Sequence, residues 1–265
     1  MSLKFSAITP HPPLLIPTIS RPSDFEKISQ TKEAMEKLAK KFYEAKLETV
    51  IVISPHAPID FKYFIINTSP SLQGNFSQFG DNQTKFSFKN DLEIAKKIEN
   101  LCQQEKIPLK PLEIKELDHG ILVPLFYLLP PRKEIRVLPL SFSCLDRQTH
   151  FLFGKIILKA IQESPKNIGL IASGDLSHCL LPEAPVTYSP LGKDFDEKFM
   201  KNIEKKNNED MLSLDDNLVE GAAECGYRSS LILLGALEEI RYRPEILSYE
   251  APFGVGYPVI NFRIF

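Results

Sequence analysis

Thr49-Val-Ile-Val-Ile-Ser-Pro-His56 is a near-continuous apolar run closed by serine, proline and histidine. Without polar alternation it reads as a strand covered on both faces, the habit of a parallel sheet. The proline fixes φ just past the strand, so the histidine leaves on a stiff loop. Phe5-Ser-Ala-Ile-Thr-Pro-His11 has the same form. Leu112-Glu-Ile-Lys-Glu-Leu-Asp-His119 and Ile168-Gly-Leu-Ile-Ala-Ser-Gly-Asp-Leu-Ser-His178 also end apolar stretches in an imidazole. Ligands of open α/β sheets bind at the carboxyl ends of the strands, so four scattered histidines can meet in one crevice. His150 breaks the pattern. It follows Arg147-Gln-Thr and opens a helical segment, and is expected at the surface or a helix start outside the crevice. Its removal should stay within about ±0.5 kcal/mol.

Outward from these runs, strands and helices alternate. Leu3–Thr9, Thr49–Ser54, Lys62–Thr68, Leu112–Lys115, Ile135–Phe142 and Asn167–Ser173 read as strands. Phe25–Lys46, with Met35, Leu38, Phe42 and Leu47 on one side, reads as a helix, as do Asp91–Gln104 and Arg147–Glu163. Residues 69–83 are expected to form a long glycine-containing loop. Two or three helices are expected over 191–240, and a terminal hairpin from Glu245–Tyr249 and Gly256–Phe265. The fold class expected is α/β: a single domain over 1–265, with a central mixed, largely parallel sheet flanked by helices and its site at the strands' carboxyl ends.

The 32 Lys and Arg balance 34 Asp and Glu and are scattered, which argues against a nucleic-acid partner. The most apolar stretch, Gly120–Leu129, is about half a membrane span, so no membrane partner is expected. The N-terminal residues show no signal-peptide core. Cys102, Cys144, Cys179 and Cys225 are widely spaced without a C-x-x-C, which fits a reduced, cytoplasmic protein.

Two imidazoles and one carboxylate suit a divalent iron or zinc ion with positions left open. His11 and His56 make the best pair, because each follows a strand-ending proline. A single histidine is more often a satisfied core or loop side chain; the repeated arrangement favours a shared site. Asp60, Asp118, Asp175 and Glu224 are the candidate carboxylates. Glu224 lies in Gly221-Ala-Ala-Glu-Cys-Gly-Tyr-Arg228, before the apolar helix Ser229–Leu237. A glutamate at a helix start is usually a surface residue. Its small neighbours argue instead for burial, and a buried carboxylate needs a cation. His178 and His119 remain as acid–base or substrate-orienting groups. Asp175 either orients His178 or caps the next helix or turn. Cys179 reads as a small buried residue rather than a nucleophile.

Pro10-His11-Pro-Pro, Ser54-Pro-His56-Ala-Pro, Asp118-His119-Gly, Gly174-Asp-Leu-Ser-His178 and Glu224-Cys-Gly-Tyr-Arg together resemble the LigB-type class III extradiol ring-cleavage dioxygenases. They look most like the LigB-like proteins associated with the Memo and AmmeMemoRadiSam families. The resemblance runs from residue 4 to the C-terminus. It implies a metal, Fe(II) or else Zn(II) or another divalent ion, held by His11, His56 and Glu224. It implies His178 as catalytic base and His119 as a histidine contacting substrate. The implied reactants are a catechol-like aromatic and O2, with a homo-oligomer as one possible assembly. The resemblance departs at Cys225, where Memo proteins have their own cysteine and draw ligands from three histidines. That opens His178 as third ligand. The alternatives are a Memo-like metal-binding protein acting through partners, or a metal-dependent hydrolase.

Overall fold

The computed structural model describes residues 2–129 and 134–265; residue 1 and residues 130–133 lie outside it. The strands are β1 (Leu3–Thr9), β2 (Thr49–Ser54), β3 (Phe64–Asn67), β4 (Ser71–Phe76), β5 (Asp81–Lys89), β6 (Leu109–Leu112), β7 (Arg136–Ser141), β8 (Ile168–Ser173), β9 (Tyr242–Glu250) and β10 (Tyr257–Ile264). The helices are α1 (Pro22–Lys27), α2 (Ser29–Glu44), α3 (Leu92–Glu105), α4 (His119–Leu128), α5 (Arg147–Gln162), α6 (Pro190–Lys205), α7 (Asn208–Leu212), α8 (Asp216–Gly221) and α9 (Tyr227–Leu237).

Eight strands form one sheet in the order β6-β3-β7-β2-β8-β1-β10-β9. Its centre, β7-β2-β8-β1, is parallel. β3 runs antiparallel to β7, and β10 and β9 add an antiparallel edge beside β1. The α/β architecture read from the sequence is what the chain forms. Every residue of β2 and β8 is buried, because helices cover both faces. The two-residue period of a strand divides the core. Val50 and Val52 join Phe5, Ala7, Ile171, α2 and α4 on one face. Ile51 and Ile53 join Leu170, Ala172, α3, α5 and α9 on the other. On the second face α5 and α9 pack backbone to backbone: a Cβ on Gly154 would overlap the Ile232 carbonyl, and one on Gly235 the Phe151 carbonyl.

Several boundaries differ from the sequence reading. The expected loop over 69–83 is largely the hairpin β4–β5, joined by a turn of 3-10 helix at Ser77–Phe79. The strand expected at Leu112–Lys115 lies at Leu109–Leu112, an edge position that tolerates Pro111. The helix expected over Phe25–Lys46 is two helices broken at Ile28, and where two or three helices were expected over 191–240 there are four, α7 and α8 being single short turns between α6 and α9. The terminal hairpin forms as read. Among the described residues, no helix is long and apolar enough to cross a membrane.

Candidate metal centre

β2, β8 and β1 are adjacent and parallel, and their ends are level: Thr9 pairs with Ser173, and Ile53 with Ala172. Each strand then hands the chain to a loop carrying a histidine, so His11, His56 and His178 leave the sheet side by side. Register, not sequence distance, brings them together. His119 arrives separately, as the first residue of α4.

His11 is buried. Its backbone N–H donates to Asp175 Oδ1 at 2.9 Å, and its Nδ1 lies 2.9 Å from Ser173 Oγ. A hydrogen-bonded Nδ1 leaves Nε2 facing the crevice. There it meets His56 Nε2 at 3.0 Å and Cys225 Sγ at 3.6 Å. His56 is fixed in turn by Ser54, whose Oγ accepts the His56 N–H at 3.2 Å and donates to Asp118 Oδ1 at 2.6 Å. The His119 ring lies 4.1 Å from that of His56 and 5.2 Å from Phe79, which the β4–β5 hairpin supplies.

Cys225 reaches the pair because of a glycine contact. A Cβ on Gly174 would overlap Gly226 Cα, so only two glycines let the loop after β8 touch the start of α9. At this contact the Cys225 and Gly226 amides both donate to the Asp175 carbonyl, at 3.3 and 2.9 Å. His11, His56 and Cys225 then offer ligand atoms within 4.8 Å of one another, as do Asp175, His178 and Cys225.

This geometry fits a metal ion. Around one tetrahedral ion two nitrogen ligands are about 3.3–3.4 Å apart and a nitrogen and a sulfur about 3.6 Å apart. His11 Nε2 lies 3.0 Å from His56 Nε2 and 3.6 Å from Cys225 Sγ, so the three need shift only a few tenths of an ångström to share one ion. The protonation states agree. Burial, then the neighbouring His56 and His178 imidazoles, hold His11 well below the usual histidine range. Burial, then His56 and His11, pull His119 down to about 3. Both are the neutral, ligating form. Burial, then the Asp175 and Glu224 charges, push the Cys225 thiol far up, and a bound cation would displace that proton. Burial pushes Asp175 up to about 6, with His178 opposing it.

Glu224 is placed differently from the sequence expectation. Its carboxylate caps the next helix, accepting the Tyr227 N–H, and lines a cavity of about 580 Å³ with Arg147 and Arg228, to which none of the histidines contributes. Burial pushes it up to about 7, and the Tyr227 N–H and Arg228 oppose this. It is not among the groups that meet His11 and His56. Adjacent residues at a turn point opposite ways, and here the cysteine takes the crevice. Asp175 neither caps a helix nor bonds His178; it clamps the His11 backbone. His178 Nδ1 is enclosed and has no hydrogen-bond partner. Asp60 lies in a loop, paired with Lys110. Cys179 is buried against Ser177, as expected.

Sequence reasoning passed over Ser54 and Ser173, the residues that orient His56 and His11. A signal was present: both are hydroxyls ending an apolar strand just before the histidine loop. Ser173→Ala should leave the fold intact and weaken metal binding roughly 10–100-fold, read by competition with a chromophoric chelator. Unchanged affinity would mean that Ser173 does not hold His11.

His150 corrects the surface expectation. It lies outside the crevice but is wholly buried, with Nδ1 2.8 Å from the Asp146 carbonyl and Nε2 3.1 Å from that of Ser143, against the Phe64 ring. A single helical turn carries it inward to the α3–α5 side of the sheet. His150→Ala should therefore cost about 2–4 kcal/mol and lower Tm by roughly 5–15 °C, with metal content unchanged. A Tm within about two degrees of wild type would refute this.

A family model described as "Catalytic LigB subunit of aromatic ring-opening dioxygenase" matches residues 6–260. Among curated proteins, Protein CA_C1420 of Clostridium acetobutylicum is 34% identical over 274 aligned positions, covering all of this chain and 58% of the relative. The chain thus spans little more than half of that relative's length. The crystal structure of the uncharacterized protein JW3007 from Escherichia coli K12 shares the fold, with a TM-score of 0.69 and 18% identity over 97% of this chain and 99% of that one.

Proposed function

The chain belongs to the LigB family of aromatic ring-opening dioxygenase catalytic subunits, and from that premise we propose a metal-dependent extradiol dioxygenase acting on a small catechol-like aromatic and O2. The observation that carries the reading is the 3.0 Å approach of His11 Nε2 and His56 Nε2 at the carboxyl ends of β1 and β2. These two imidazoles would hold the ion, with Cys225 as the third donor. Iron(II) in such a site supplies Lewis acidity and one-electron chemistry.

The remaining work falls to the chain. His178 is the base: its enclosed Nδ1 has no partner, and the ring groups with Asp175 and Cys225 rather than with the imidazole pair. It takes the proton of a diol hydroxyl and returns it later in the reaction. His119, held between Phe79 and His56, orients a substrate oxygen by hydrogen bonding.

The presence of Cys225 rather than Glu224 beside the histidines favours a second reading, a Memo-like metal-binding protein that acts through partners. One experiment separates the two. Protein loaded anaerobically with Fe(II) is mixed with aerated catechols, and O2 uptake is followed with the yellow ring-opened product. Uptake matched to product supports the dioxygenase. Bound metal without uptake across the panel supports the second reading, and turnover without O2 would indicate hydrolysis.

A further inference from the structure

Beside His56 the structure encloses a slot of about 230 Å³, between β3, β7 and the start of α4. Ile65, Leu117, Ile121 and Leu140 make its walls. An apolar cavity of about 150 Å³ takes one benzene ring, so this slot holds one substituted ring and has no room for a second. Its neutral polar groups are already engaged. Asn67 Nδ2 donates to the Ile114 carbonyl at 2.7 Å while its Oδ1 accepts the Ser69 N–H at 2.9 Å, and Ser141 Oγ donates to the Pro58 carbonyl at 2.9 Å.

Apart from His56, which faces the metal, the remaining polar side chains are acidic. Asp118 and Glu116 line the slot, and both also line an adjoining cleft beneath the β4–β5 hairpin. No lysine or arginine lines either space among the described residues. Beyond the metal that would claim the diol, a carboxylate on the ring would lose its water and meet two acidic side chains with no lysine or arginine to pair it, a costly burial. An ammonium would meet the opposite field.

We propose, resting on the ring-opening reading above, that this slot receives a single-ring vicinal diol whose substituent is neutral or cationic, and that Asp118 and Glu116 exclude carboxylated rings. Asp118 and Glu116 thereby set specificity without touching the reacting atoms.

The test uses the full chain loaded with Zn(II), which is redox-inert, so that probes are bound and not consumed. Calorimetry compares 3,4-dihydroxyphenylethylamine with 3,4-dihydroxyphenylacetate, which share diol and chain length and differ in charge. The amine should bind at least tenfold more tightly. Glu116→Lys, at an exposed position, should narrow that ratio roughly tenfold or invert it, with an unchanged Tm confirming that the loss of its contact with Gln73 leaves the fold intact. Asp118→Asn should narrow it as well. Equal or tighter binding of the acid to wild type, a ratio indifferent to Glu116→Lys, or no binding of either probe would overturn the proposal. If zinc is not taken up, the same pair is titrated into metal-free protein, and the same order is required. Preference for the amine without O2 uptake in the Fe(II) assay would leave the slot standing and sink the ring-opening reading.

Discussion

His11→Ala should fold and lose the metal. Deleting only an outer hydrogen-bond partner of a ligand costs 10–100-fold in affinity, so removing the imidazole should cost roughly 10³-fold or more. His11 is buried, and it is the group that approaches both His56 and Cys225. Elemental analysis after dialysis should find near-stoichiometric metal in wild type and little in the variant, with Ser173→Ala between them. Glu224→Gln should keep its metal, because that carboxylate faces the Arg147 side. Full occupancy in His11→Ala would place the centre elsewhere.

His178→Ala separates a base from a ligand. It should keep the metal and lose roughly 10²–10⁴-fold in turnover, the scale of a positioned acid–base group. The ring is held by its backbone, whose N–H donates to the Ala222 carbonyl at 3.1 Å, so the substitution leaves the loop in place. Loss of metal along with activity would make His178 a ligand and favour the Memo-like reading.

The parts most legible in the sequence were those where one rule acted alone. β2 and β8 are near-continuous apolar runs because both faces are covered, β1 is buried from Phe5 onward, and the ends of the three announced His11, His56 and His178. The hairpin was hidden by a local substitution. Leu72, Gly74 and Phe76 alternate inward along β4, but a side chain at Gly74 would collide with Leu122, so the middle inward position carries none. The sequence then looks like a polar, glycine-bearing loop. His150 was misplaced because the period of a helix, not the end of a strand, decides which way it points. Glu224 and Cys225 show a finer limit. Composition marked the segment as buried, but which neighbour enters the crevice depends on the Gly174–Gly226 contact, formed by residues far apart in the chain.

The choice between those two neighbours can be read directly at the metal. X-ray absorption at the zinc edge of Zn(II)-loaded protein should show nitrogen or oxygen neighbours at about 2.0–2.1 Å and one sulfur at about 2.3 Å. The sulfur shell should vanish in Cys225→Ala and persist in Glu224→Gln. A nitrogen and oxygen shell alone, untouched by Cys225→Ala and altered by Glu224→Gln, would contradict the proposed centre.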